Sequence, residues 1–508
     1  MNNNSIYVKI EEAKNGTKIP VFASGRTMES RYNPERDAEN LCNNTKDGNF
    51  FVILGVGSGL FLKMLSEKYP EAVILAVEIS SNDFDFLNQL ESIKELRTKK
   101  NIIFCTAQDI TQVLMNKYLP AKYGNLQIIE QRGWVNEIPE EAKIIKDSIS
   151  KTLGIISADY SVQAHFGKIW VHNILENSKL IPDTDSFEEK LKKIEQSVKK
   201  NKTAVIIAAG PTLDSYISEL QAKQQKDEIY LIATDTAWQS LIKRGIKADA
   251  VVSIDGQSVS YNHFLFNHYD KNQDNTPLFF FDLCSNSSAV RNIIKKGFPL
   301  IFFCSGHPLS LALKNFSGDA IPAFFSGAGT VTITAADIAY KAGFQKIKIY
   351  GADFSYSAGK AYTKGTYLDA LYYSDAVKTS AAEKLWCRLL YRTELSDCHN
   401  GHFSSPVLEA YRQSMEAYFL NNGIKYNRDN FIYEAFVSGD SRNHIFKYSP
   451  ESINYKAFIK ELSASEPSEI EFILLPLIAH FRQKSDFQHY SYSDLLNLAF
   501  STIVSYNI

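Results

Sequence analysis

Between residues 203 and 255 three apolar runs each carry a polar group to their carboxyl end. TAVIIAAGPT closes on Gly210-Pro211-Thr212, EIYLIATDT on Asp235-Thr236, and ADAVVSIDG on Asp255. Short apolar runs bounded by Gly, Pro and Asp read as buried strands, and their alternation with helix-length amphipathic stretches implies a parallel sheet. Ligands of such sheets bind at the carboxyl ends of the strands, so these groups converge on one crevice although they are far apart in sequence. Gly210 permits close backbone approach, and the helix-opening amides around Pro211 and Thr212 suit a phosphate. Asp235 and Thr236 stand where a ribose or base would be held. Asp255 has no obvious helix to cap and is the first candidate for a catalytic base. A plainer reading stays open for two of them, because Thr212 and Asp235 could equally be helix caps.

Farther along, Ser326-Gly327-Ala328-Gly329-Thr330 is a small turn between an expected strand and an expected helix, and Gly351-Ala352-Asp353 ends another strand. The polar stretch after it, FSYSAGKAYTKGTY, offers Lys360, Tyr362 and Lys364 to a phosphate or carboxylate, or else is a solvated loop. His307, in CSGHPLS, is a second candidate base, since a neutral imidazole can take a proton near pH 7; a loop histidine with no chemical part is the alternative. A separate motif, Gly55-Val56-Gly57-Ser58-Gly59, follows a strand and opens a helix, with Glu78 at the end of the next strand. That layout holds dinucleotides or S-adenosylmethionine, the acid taking ribose hydroxyls, or makes only a tight turn in an accessory domain. The third strand of that block adds only Asp109.

These residues need two α/β blocks to position them. The first runs through strands NFFVILG, AVILAVE, NIIFCTA and NLQIIE. The second continues past Asp255 with strands PLFFFDL, PLIFFCS, IPAFFS and KIKIYGAD and the helix TVTITAADIAYKAG. The expected division is a β-rich opening with a Rossmann-like domain over 1–140, a helical connector over 141–202, a central Rossmann-like domain over 203–370, and a helical region over 371–508. At 508 residues the chain exceeds one hydrophobic core. Its 55 Lys and Arg nearly balance 57 Asp and Glu, which argues against nucleic acid as a partner. The opening MNNNSIYVKIEEAKNG lacks a signal-peptide layout, and FILLPLIAHF suits a buried helix rather than a membrane span. The six cysteines show no CxxC spacing, so reduced thiols in a cytoplasmic protein without a zinc site are expected.

Taken together, GPTLD, ATDTAWQSLIKRGIKADAVVSID and SGAGTVTITAADIAYKAGFQKIKIYGADFSYSAGKAYT resemble the central domain of the motility accessory factor (Maf) family. These are bacterial flagellin glycosyltransferases that also resemble 6-hydroxymethylpterin pyrophosphokinases. RYNPERDAE and WVHNILEN are similar to flanking elements of that family, so the resemblance spans about 30–367 and is weak beyond 370. Thr212 where Ser is usual, and Ala328 within the Ser-Gly turn, are mild departures.

The resemblance implies a sialyltransferase-like central domain. The implied reaction moves a nonulosonic acid, pseudaminic or legionaminic in type, from a cytidine monophosphate (CMP) donor to Ser or Thr of flagellin, with no bound metal and no tightly held cofactor. It implies that Gly210, Pro211, Thr212, Asp235 and Thr236 hold the nucleotide, and that Ser326, Gly327, Gly329 and Thr330 lie near its phosphate. Asp255 and Asp353 would then face sugar or acceptor. An ATP-dependent pyrophosphokinase, a methyltransferase built on the first block, and a non-enzymatic flagellin chaperone remain as alternatives.

Overall fold

Strands as uniformly apolar as FFVIL and LFFFD are stable only where both faces of their sheet are covered, which is the condition of parallel sheets. The computed structural model, which describes residues 5–183, 187–265, 276–327, 329–398, 401–438 and 446–507, meets that condition in each of two compact units.

The first unit comprises 1–167 and 474–500. A hairpin of β1 (Tyr7–Glu12) and β2 (Lys18–Phe22) precedes β3 (Phe50–Leu54), β4 (Val73–Glu78), β5 (Ile102–Thr106) and β6 (Leu126–Glu130). The last four form a parallel sheet in the order β5-β4-β3-β6, with Phe50 opposite both Val73 and Leu126. Every residue of β3 is buried.

The second unit comprises 168–473 and 501–508. Its strands are β7 (Thr203–Ile207), β8 (Ile229–Thr234), β9 (Ala250–Ser253), β10 (Leu278–Asp282), β11 (Leu300–Phe303) and β12 (Lys346–Tyr350), then β13 (Tyr356–Ser357), β14 (Ser396–Asp397), β15 (His402–Ser404), β16 (Lys425–Asp429) and β17 (Ile432–Phe436). The large sheet has the order β11-β10-β9-β8-β7-β12-β17-β16, parallel through β12 and antiparallel beyond it. β13, β15 and β14 make a small antiparallel sheet. The two units cut across the four expected segments: helix Pro139–Leu180 gives its beginning to one and its end to the other.

Two expectations fail locally. IPAFFS is not a strand; Pro322 has no N–H to donate, and only a single bridge, Cys304 to Ala323, forms there. The region after 370 is not purely helical, because the β16–β17 hairpin extends the central sheet. Its turn places Asn430 and Phe431 at φ of 45° and 64°, a left-handed pair for which Asn-Gly is the usual sequence signal. FILLPLIAHF does lie in helix Glu471–Arg482 with its leucines and isoleucine at 474, 475, 477 and 478 buried. All six cysteines are free, and among the described residues no helix is long and apolar enough to cross a membrane.

The WVHNILEN stretch has a clear positional task. Asn173 Nδ2 donates to the carbonyls of Gly256 and Cys284, each at 3.0 Å, and Asn177 Nδ2 to those of Leu283 and Ser285 at 2.9 and 2.8 Å. These buried amides hold the loops leaving β9 and β10. Asn177→Ala strands two buried carbonyls and should cost about 2 kcal/mol, measured as a lower urea midpoint; an unchanged midpoint would show that water replaces the amide.

Candidate functional site

In the second unit the chain lays down β7 to β11 in sequence along one direction, then returns to add β12 on the other flank of β7. The sheet order therefore reverses between β7 and β12, the place where an open parallel sheet leaves a crevice beyond its carboxyl ends. A cleft of about 360 Å³ lies there. Its floor is Ala208–Gly210 and Gly351–Asp353, and its sides are Thr234, Thr236, Gly329–Thr332 and the loop from Phe354 to Tyr362. Leu389, Arg392, Ser405 and Tyr411 close the remaining flank.

At the floor two backbones touch. Gly210 N–H donates to the Gly351 carbonyl at 2.7 Å, and a Cβ on Gly210 would collide with that carbonyl and with the Asp353 carboxyl. Gly351 itself sits at φ 69°. The amides at the GPT turn are consequently engaged rather than free: Asp353 accepts from both the backbone N–H and the hydroxyl of Thr212. Thr212 is thus not a helix cap, and a short 3₁₀ turn, Pro211–Tyr216, opens here before helix Ile217–Gln225. Burial raises the Asp353 carboxyl above its ordinary range, opposed by the Thr212 hydrogen bonds.

Amides with no partner among the described residues lie at Thr330, Val331 and Thr332, whereas the Gly329 N–H donates to the Ser326 carbonyl at 3.1 Å. Helix Val331–Lys341 begins at Thr330, whose side chain makes no cap, and Gly329, Thr330, Val331 and Thr332 all face the cleft. Positive φ at Gly327 and Gly329, 56° and 87°, lets the chain enter that helix steeply; Ala328 lies outside the described residues. Arg392 lies on the cleft wall with no carboxylate partner among the described residues. An uncapped helix start and a guanidinium without a carboxylate partner among the described residues are groups suited to hold an anion. Tyr362 also lines the cleft, and burial pushes its phenol up to about 12, so it stays a hydrogen-bond donor.

Residues 172–359 match the family described as 6-hydroxymethylpterin diphosphokinase MptE-like. Two uncharacterized proteins of Treponema pallidum (strain Nichols) are similar: one at 34% identity over 139 residues, 27% of this chain and 49% of the relative, so that about half of that protein's length is spanned. The other is 32% identical over 157 residues, covering 31% of this chain and 70% of the relative. The solved Maf glycosyltransferase from Magnetospirillum magneticum AMB-1 has the same fold, with a TM-score of 0.53 at 13% identity over 98% of this chain and 86% of that one. The chain therefore carries an MptE-like domain, and its fold is that of the solved Maf glycosyltransferase.

In the MptE-like domain and just beyond it the expected site residues separate into two groups. Gly210, Thr236, Gly329, Thr330, Asp353 and Tyr362 meet at the cleft. Pro211, Thr212, Asp235, Asp255, His307, Ser326, Gly327 and Lys364 do not line it. Asp235 begins helix Asp235–Lys243 and is buried, accepting from the Thr236 N–H and from the Ser253 hydroxyl at 2.7 Å each. Asp255 accepts from the Gln257 N–H at 2.9 Å, and its carboxyl is raised chiefly by burial. His307 caps helix Pro308–Phe316 by accepting from the Leu309 N–H at 3.2 Å. Burial pushes its imidazole down to about 3, which unsuits it to take a proton at neutral pH. Lys364 has its backbone tied down, the Ser240 hydroxyl donating to its carbonyl at 2.7 Å, while the side chain points to solvent. Arg392 and the amides of 331 and 332 were not legible in advance; CRLLYRTEL reads only as helix.

The Gly-rich turn of the first unit is occupied by the protein itself. Ser58 N–H donates to Glu29 Oε1 at 2.6 Å, and Val56 N–H to Glu78 Oε1 at 2.7 Å. Glu78, the acid expected for a ribose, also accepts from Tyr7 Oη at 2.9 Å and Trp134 Nε1 at 2.8 Å and is fully buried. Met28 and Glu29 fill the space beside Gly57 that a ligand phosphate would need. The cofactor-site reading of this motif is therefore corrected to a turn closed by internal carboxylates.

Burial pushes the Glu29 carboxyl up to about 7 and that of Glu78 up to about 8. An acid raised on folding binds its proton more tightly when folded, so its contribution is complete below about pH 4.3 and is lost as pH rises through its folded value. Each acid can remove up to about 1.4 kcal/mol per pH unit across that window. Glu29→Gln should therefore flatten the fall in melting temperature between about pH 5 and 7, followed by circular dichroism; a slope equal to wild type would show Glu29 ionising as freely as in water.

Proposed function

We propose that the protein is a glycosyltransferase that moves a nonulosonic acid of pseudaminic or legionaminic type from a CMP donor to Ser or Thr hydroxyls of flagellin, in the cytoplasm before export. The observation that carries this reading is the cleft lined by both the uncapped start of helix Val331–Lys341 and Arg392, which has no carboxylate partner among the described residues. The like-folded protein of M. magneticum is itself named a glycosyltransferase, which supports the same reaction class here.

Breaking the bond from the anomeric carbon to the phosphate leaves positive charge on the sugar and negative charge on the phosphate. Fixed N–H donors and a guanidinium stabilise that departing charge most where water is excluded. Tyr362 and Thr236, which also line the cleft, offer hydroxyls to the sugar or ribose. The reading calls on no resident cofactor, since the donor brings its own leaving group. The family match favours one rival, transfer of diphosphate from ATP, which would place a nucleotide triphosphate in the same cleft.

Calorimetry with CMP, ATP with and without magnesium, and S-adenosylmethionine separates these readings. CMP should bind without magnesium, and Arg392→Ala should weaken it about 10- to 100-fold, the worth of one charged hydrogen bond. Magnesium-dependent ATP binding with no response to CMP would overturn the transferase in favour of the diphosphokinase. Gly210→Val is a poor probe, because its side chain would strike the Gly351 carbonyl and disturb the fold before the ligand.

A further inference from the structure

A transferase to a hydroxyl acceptor needs a group that takes the acceptor's proton, and neither Asp255 nor His307 reaches the cleft. The small sheet supplies another pair. β15 lies antiparallel to β13 with His402 opposite Ser357, and this brings the His402 imidazole beside the residue preceding β13. Ser355 Oγ and His402 Nδ1 are 3.1 Å apart. Ser355 lines the cleft beside Asp353, although only 5% of its surface is open to solvent.

The pair is held from several sides. Phe354 adopts φ 50°, a conformation uncommon for a bulky residue, and its carbonyl is fixed by the Ser404 hydroxyl at 2.9 Å. The His402 ring stacks on Phe431 with centroids 4.2 Å apart. The Arg428 guanidinium lies 5.4 Å from the centroid of that phenyl ring and donates to the Asp353 carbonyl at 3.1 Å. The charged and titratable groups around His402 are thus Asp353 at the end of β12, Arg428 on β16, and Asp397 with Cys398 at the β14 strand, whose Cys398 N–H bonds the His402 carbonyl. Backbone strain maintained by its surroundings at a cleft is a pattern of functional sites.

We propose that Ser355 and His402 are the proton-accepting pair of the cleft. This role rests on the transferase reading. The acceptor oxygen attacks the anomeric carbon as the bond from that carbon to the phosphate oxygen breaks, the electron pair leaving with the phosphate. The acceptor proton passes to Ser355 Oγ while the Ser355 hydroxyl proton passes to His402 Nδ1, and the Asp353 carboxylate nearby balances the imidazolium. Ser355 meets the acceptor; His402 acts through it as a positioning and proton-holding residue.

The test uses the full-length protein, CMP-activated nonulosonic acids as donors and a flagellin as acceptor. His402→Gln should lower kcat about 100-fold, leave the donor KM and CMP binding within twofold, and remove the acid limb of the pH–rate profile. Ser355→Ala should match it, and Ser355→Thr should restore most of the rate. The ¹⁵N resonance of His402 Nδ1 should shift in Ser355→Ala without any substrate, which separates the pair from its proposed use. Transfer by wild type with an unchanged profile in His402→Gln, or an unmoved Nδ1 resonance, overturns the proposal alone. Wild type that transfers from none of the donors sinks the transferase reading and this role with it.

Discussion

The contact between Gly210 and Gly351 is the constraint on which the second unit's cleft depends. Both residues leave neighbouring strands of the sheet at its switch point, and the hydrogen bond between them is 2.7 Å long. A side chain on either would strike backbone, that of Gly351 for one and of Ala208 for the other. Because the two strand ends meet this closely, Asp353 comes within reach of Thr212 and ties the first turn after β7 to the end of β12. The acid thereby holds the architecture together, and the groups suited to an anion are the helix start at Thr330 and Arg392.

The loop after β12 is held as firmly. Asp214 accepts from Arg244 and from the Thr363 hydroxyl, Arg244 also reaches Thr363 at 3.1 Å, and Lys243 donates to the Gly365 carbonyl at 2.8 Å. The Thr363 N–H donates to the Ala209 carbonyl at 2.8 Å, on the cleft floor itself. A polar loop of glycines, serines and lysines would by composition be a mobile cover. Here its far end is pinned by a charged cluster and a backbone bond, and its start by the Ser404 hydroxyl on the Phe354 carbonyl and by His402 against Ser355, so Tyr362 and Ser355 are presented in fixed positions. Donors held in place before the reaction need no reorganisation as charge develops, which is where enzymes obtain much of their rate.

Much of this was legible in the sequence, for reasons that can be stated residue by residue. Buried parallel strands are written as apolar runs, so β3, β7, β8 and β10 were visible, β12 (KIKIY) showed instead by alternation, and strand-end placement followed for Gly210, Thr236 and Asp353. What sequence could not reveal was competition for the same polar group. A Gly-rich turn looks the same whether its amides meet a ligand or Glu29, since Glu29 lies in a loop with no periodic signal of its own. His402 was hidden differently: its strand has three residues, and its partner Ser355 precedes another of two. Pairings that short leave no pattern, and the hairpin that supports them turns on Asn-Phe rather than Asn-Gly.

The two units offer the same topological opening and use it in opposite ways. In the first, β3 is followed by β4 and β5 on one side and β6 on the other, so its switch point also lies beside a glycine turn. There an internal glutamate supplies the anion, and a second acid is sealed under Tyr7 and Trp134. Burying two carboxyls without a cation is costly, and the raised proton affinity of both is the visible result. In the second unit the acid after β8, Asp235, is satisfied by Ser253 and Thr236, and Asp353 after β12 by Thr212, while the opening stays accessible. A Rossmann-like fold therefore does not specify a ligand site by its topology; what decides is whether the polar atoms at the switch point have already been given partners by the chain.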